Sequence, residues 1–141
     1  MEVLSFPVTG ESSLRTALKW PVTPEVMNWG VRFLQERYGR PGYITENGLS
    51  CNDRIYLDGK VHDIERIDFL ARYLRELAKA VEADCGMKGY FHWSSMDNFE
   101  WHSGYCDRFG IVYVDFPTGT RTPKDSYYWY KEVVKTGEVT F

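Results

Sequence analysis

The sequence predicts an α/β protein built on parallel strands, and three observations carry that prediction. Helical and extended patterns alternate along the chain, which implies βαβ units. Ile67, Leu70, Leu74, Leu77 and Val81 repeat at steps of three and four, the signature of one buried helix face. Two short runs, Gly42-Tyr43-Ile44-Thr45-Glu46 and Lys88 to Ser94, are bounded by turn residues and read as the main strands. Two parallel strands cannot close a sheet, so the chain reads as part of a larger unit.

The elements follow in order. Residues 1–17 show little periodicity, and Thr9-Gly10-Glu11-Ser12-Ser13 reads as a flexible loop or tail. Thr23 is placed to cap a helix with Pro24 in its first turn. Val26, Trp29, Phe33 and Leu34 fall on one face of it, and Gly39 and Pro41 end it. Asn47-Gly48 turns the chain after the first strand. Residues 49–62, with Asn52, Asp53, Asp58 and Gly59, read as a polar loop, and Asp63 as the cap of the striped helix, which ends near Gly86. After the second strand come a shorter strand, Ile111 to Asp115, and a turn-rich connection marked by Pro117, Gly119 and Pro123. Ser126 to Lys135 is a last helix with Trp129 and Val133 on one side. No internal repeat or low-complexity segment appears.

Composition excludes several classes. Of the 141 residues, 43% are hydrophobic and 26% charged, enough to bury a core. The net charge of −3 is interleaved, without the basic block that nucleic acid requires. No run is long and apolar enough to span a membrane. Met1 to Phe6 has no basic stretch followed by an apolar one, so no signal peptide is expected. Cys51, Cys85 and Cys106 are odd in number and lack CxxC spacing, which fits free thiols and a cytoplasmic location. His62, His92 and His102 lack metal-ligand spacing; neither a metal nor another cofactor is expected. Aromatic residues reach 16%, which suits either a large core or a surface that stacks on sugar rings.

Reactive groups in parallel α/β folds gather at the C-terminal ends of the strands. There the chain places Glu46 and, after the second strand, Trp93 through Asp97, Asn98, Phe99, Glu100 and Trp101 to His102. Carboxylates and indoles in that position suit glycoside hydrolysis, which needs two carboxyl groups about the scissile bond. Each residue also has a plainer use. Glu46 suits an exposed strand end, the tryptophans suit a core, and Asp97 and Glu100 suit local caps or ion pairs.

Tyr43-Ile44-Thr45-Glu46-Asn47-Gly48 resembles the nucleophile motif of the family 1 glycoside hydrolases, the β-glucosidase family. Gly89 through Trp101 resembles that family's glycone-binding segment, and Arg108 to Asp115 continues it in order. Ser126-Tyr127-Tyr128-Trp129-Tyr130 resembles the start of its final helix, and Trp20-Pro21 with Thr23-Pro24 the approach to its seventh. The resemblance implies the C-terminal part of a (β/α)8 barrel, about strands 7 and 8 with their helices, over residues 18–141. It implies that Glu46 attacks the anomeric carbon. Trp93 would lie under the sugar, Glu100 would accept from O4 and O6, Trp101 would donate to O3, and Phe109 would pack near C6. Glu100 would repel a 6-phosphate, so a β-glucoside or β-galactoside is the expected substrate. Asn47 and Asp97 receive shaping roles only. The family's acid/base Asn-Glu-Pro motif, its earlier His-Trp pair and its sixth-strand tyrosine are missing. The isolated chain is therefore expected to be inactive and to need the N-terminal barrel portion as partner, or to self-associate. The alternative is a non-catalytic carbohydrate-binding or structural piece.

Overall fold

A computed structural model describes residues 14–140. The expected flexible tail falls mostly on residues 1–13, outside the described residues; within residues 14–21, Arg15 forms a bridge with Pro21. The described elements run α1 (Val26–Tyr38), β1 (Gly42–Asn47), α2 (Ile64–Glu82), β2 (Met87–His92), a single 3-10 turn (Trp101–Ser103), β3 (Val112–Asp115), β4 (Thr120–Pro123) and α3 (Asp125–Thr136).

β1 and β2 pair in parallel, with Ile44 opposite Tyr90, and α2 is the crossover between them. Side chains alternate across a strand. On one face Ile44 and Tyr90 pack on the core, joined by Met87 where the register shifts at the start of the pairing; α1 supplies Met27 and Val31 and α2 Leu70, Tyr73, Leu77 and Ala80. On the other face Tyr43 and Phe91 are 59% and 58% exposed. The sheet is thus covered by helices on one side and bare on the other, and no closed barrel forms among the described residues.

The sequence reading of α1 is corrected in two respects. Val26, Trp29, Phe33 and Leu34 are exposed, and Met27, Asn28 and Val31 are the buried residues. The helix is apolar on more than one side, and α2 covers only the Met27–Val31 side. Thr23 does not cap it. A turn precedes the helix, with the Val26 N–H on the Thr23 carbonyl at 3.2 Å and the Met27 N–H on that of Pro24 at 3.0 Å, and Glu25 holds the cap position without a side-chain bond. The end matches expectation: Gly39 is left-handed and donates to the Gln35 carbonyl at 2.8 Å. On α2, Ile67, Leu70 and Leu77 are buried, while Val81, near the end, is exposed.

Three further differences concern the connections. Residues 49–62 are not simply polar, since Leu49, Ser50, Cys51 and Val61 are buried. The stretch read as turns before the last helix contains β4, which pairs antiparallel with β3. Its sequence, Thr-Arg-Thr-Pro, lacks the apolar alternation that would have marked it. Asp63 occupies the cap position of α2, but its carboxylate makes no capping bond there. It accepts instead from the Ser126 N–H, at 2.8 Å, and the Ser126 hydroxyl, so it caps α3 from a distance.

Candidate active site

Glu46 stands at the C-terminal end of β1, exposed. Trp93 follows β2 directly, and the peptide bond from it to Ser94 is cis. Asn47 ties the two strand ends together. Its carbonyl accepts the Trp93 N–H at 3.0 Å and lies 3.1 Å from His92 Nδ1, which therefore carries a proton. Its side-chain oxygen accepts the Tyr90 hydroxyl at 2.9 Å. Gly48 is required here: a Cβ on it would sit 1.7 Å from the Trp93 carbonyl oxygen. Burial pushes His92 down to about 4, leaving it neutral, and pushes the Tyr90 phenol up, keeping it a donor.

All five residues singled out from the sequence, Glu46, Trp93, Glu100, Trp101 and Phe109, line one cavity of about 390 Å³. They come from two separate segments, brought together at the ends of β1 and β2. The Trp93 indole N–H donates to Glu100 Oε2 at 3.4 Å, so the expected platform and the expected hydroxyl acceptor touch each other. Trp101 stands at the rim, 81% exposed, with a left-handed backbone (φ 40°). Phe109 is buried, and its carbonyl accepts the Ser94 N–H at 3.2 Å.

Sequence reasoning missed two kinds of residue. Trp20 and Tyr73 also line the cavity, and Tyr73 Oη fixes the Trp20 side by accepting the Thr23 N–H at 3.0 Å. The second kind is a buried ionic network under the loops. Arg66, whose side chain is 0% exposed, pairs with Asp53 at 2.7 Å and with Asp63, and donates to the carbonyls of Leu49 and Arg108. Lys124, also 0% exposed, pairs with Asp53 and, at 2.8 Å, with Asp97. Asp97 further accepts from Arg108 at 2.7 Å and from the Gly110 N–H at 3.0 Å, and so anchors both flanks of Phe109. Burial pushes the Lys124 ammonium down, as does nearby Arg66, while Asp53 and Asp97 oppose this. A signal for Arg66 was present, since it continues the buried line Arg66, Leu70, Tyr73, Leu77 as the one charged member.

A larger cavity, about 740 Å³, lies between residues 14–17, residues 49–53 and the start of α2. Its most buried carboxylates, Asp53 and Asp63, are already engaged by Arg66, Lys124 and Ser126. Burial also pushes the Cys51 thiol there up to about 12, out of the reactive range. Among the described residues no group of three His, Cys, Asp or Glu side chains is placed to hold a metal.

A carboxylate and an indole-lined cavity at the C-terminal end of a βαβ unit define a piece of a parallel-barrel site. Comparison with known proteins then identifies its lineage. The chain belongs to glycosyl hydrolase family 1, whose model matches residues 7–139. It is 48% identical over 122 residues to beta-glucosidase A of Thermotoga maritima, an alignment covering 86% of this chain and 27% of that protein. It is 41% identical over 131 residues to a 6-phospho-beta-galactosidase of Leptotrichia buccalis, covering 92% of this chain and 28% of that one. Among solved structures, the family 1 β-glucosidase from Thermotoga maritima superposes with a TM-score of 0.90 at 44% identity, over 94% of this chain and 31% of that chain. The same enzyme in complex with deoxynojirimycin also gives 0.90 at 44% identity, over 94% of this chain and 30% of that one. The chain thus spans less than a third of the length of these relatives.

Proposed function

We propose that this chain supplies the nucleophile and the sugar-binding wall of a retaining β-glucosidase, which hydrolyses terminal β-D-glucosyl residues once the rest of the barrel is present. One observation carries the reading: Glu46 and the Trp93–Phe109 segment converge on a single cavity at the ends of the strands. Glu46 attacks the anomeric carbon, giving a glycosyl-enzyme intermediate that water later hydrolyses. Trp93 and Trp101 offer indole surface to the sugar, and Glu100 offers acceptors for its hydroxyls. A phosphate on O6 would meet the Glu100 carboxylate, which favours an unphosphorylated β-glucoside or β-galactoside. Departure of an alkoxide requires a proton donor. Among the described residues the one carboxylate lining the cavity besides Glu46 is Glu100, which the Trp93 indole engages, so the acid is assigned to the rest of the barrel.

The bare sheet face at Tyr43 and Phe91, and the exposed side of α1 at Trp29 and Phe33, support a partner role for the remaining barrel. They equally support self-association of the isolated chain, the second reading. Three free thiols support a reducing compartment, the cytoplasm.

The test uses an aryl β-glucoside with an activated leaving group. Its hydrolysis is followed with this chain alone, with this chain mixed with the separately produced first six βα units of a family 1 barrel, and with Glu46→Gln in both settings. Turnover in the mixture that disappears in Glu46→Gln is the expected result. Turnover that survives Glu46→Gln removes Glu46 from the reaction. A mixture that associates yet stays inactive removes the catalytic reading and leaves the binding one.

A further inference from the structure

We propose that Lys124 is a positioning residue for the cavity, setting the spacing between the segment that follows Glu46 and the segment that carries Trp93, Glu100 and Trp101. The proposal rests on reading that cavity as the sugar site.

Lys124 lies far from the cavity in sequence and contributes no atom to its lining. Its ammonium reaches Asp53, on the loop after β1, and Asp97, between Trp93 and Glu100, 2.8 Å away. Arg66 pairs with Asp53 and Asp63, both before β2, and Arg108 pairs with Asp97. Lys124 is therefore the cation, among the described residues, whose ion pairs reach a carboxylate in each of the two segments. The side chains of Lys124 and Asp97 are 0% exposed and that of Asp53 is 2% exposed, so water does not screen the three charges from one another. Without the ammonium, two buried carboxylates would face each other and repel; with it, their separation is fixed by two charge-assisted hydrogen bonds.

The lysine is itself held from both sides. Its N–H donates to the Ile111 carbonyl at 3.0 Å, and the next N–H, that of Asp125, donates to the Val61 carbonyl at 3.1 Å. The start of α3 is thereby pinned to both segments before the side chain enters. Beyond Asp97 the coupling continues through the Gly110 N–H and Arg108, on either side of Phe109. A shift of Asp97 therefore moves both the Trp93–Trp101 stretch and the floor of the cavity.

The test is fluorine NMR on the full chain carrying 5-fluorotryptophan, with its five tryptophan lines assigned by single Trp→Phe variants. In Lys124→Met the Trp93 and Trp101 lines move by more than their widths while the line of Trp29, on the exposed side of α1, stays in place. Lys124→Arg, which keeps the cation, brings both lines back toward their original positions. Unmoved Trp93 and Trp101 lines in a folded Lys124→Met overturn the proposal, and so does an equal shift of Trp29, which would signal general loosening. Should Lys124→Met fail to fold, Asp97→Asn, which keeps the shape and removes the charge, must move the same two lines or the proposal falls. The readout needs no turnover. Moved lines in an inactive mixture sink the glycosidase reading alone, and unmoved lines in an active one sink this proposal alone.

Discussion

Arg66→Met should be among the most destabilising single changes in this chain. The guanidinium is fully buried and holds four groups: the carboxylates of Asp53 and Asp63 and the carbonyls of Leu49 and Arg108. Methionine fills similar volume without a donor. Asp53 keeps Lys124, and Asp63 keeps both donors of Ser126, so neither carboxylate is left bare. Each nevertheless loses a charged partner in a dry site, the Leu49 carbonyl loses its Arg66 donor, and the Arg108 carbonyl keeps only the Cys51 N–H. Breaking a buried ion pair in this way costs about 3–5 kcal/mol. That is a large share of the roughly 5–15 kcal/mol that holds a domain together. With a urea slope of about 2 kcal/mol/M, the unfolding midpoint should fall by about 1.5–2.5 M. Arg72→Met, which removes a half-exposed pair with Asp68, is the control and should cost under about 1 kcal/mol. Urea curves read by circular dichroism at two protein concentrations separate this effect from stabilisation by self-association. A midpoint for Arg66→Met that falls no further than that of Arg72→Met refutes the argument that the network holds the loops.

Two histidines should give the stability profile opposite slopes. His92 is held well below its ordinary 6.5, at about 4, so its contribution is complete above pH 6.5 and lost as pH falls from 6.5 toward 4. His62, bonded to Asp125 at 2.6 Å and Asp58 at 3.0 Å, is raised, so its contribution is complete below pH 6.5 and lost as pH rises through the raised value. Urea midpoints measured against pH should flatten on the acid side in His92→Phe and on the alkaline side in His62→Gln; unchanged slopes in either variant contradict its assignment. Gly48→Ala should cost about 1–3 kcal/mol or more, because its Cβ meets the Trp93 carbonyl rather than a side chain able to turn away. Urea denaturation measures that cost, and an unaltered midpoint would show that Gly48 has room to spare.

The βαβ unit was legible because its signals are local. A spaced apolar stripe, two bounded apolar runs and a left-handed glycine each fix structure within a few residues. That Glu46, Trp93, Glu100, Trp101 and Phe109 would line one cavity was legible through motif order, which brought together residues that no periodicity connects. What failed was whatever depends on a distant partner. The buried side of α1 could not be chosen from its sequence, because the helix is apolar on more than one side and only the position of α2 decides. Asp63 looked like a cap for its own helix, yet Ser126 claims its carboxylate. The Lys124 pairs span long separations, and nothing near Lys124 distinguishes it from a solvated lysine.

Because Glu46 ends the first strand of one βαβ unit and the Trp93–Phe109 segment directly follows its second, the nucleophile and the sugar-binding wall proposed for them are inherited as a block. A chimeric barrel joined just before α1, at residues 23–25, would exchange both at once while leaving the proton donor to the other parent. Glycone preference and nucleophile would then travel together through recombination, and acid strength and leaving-group preference would segregate with the rest of the barrel.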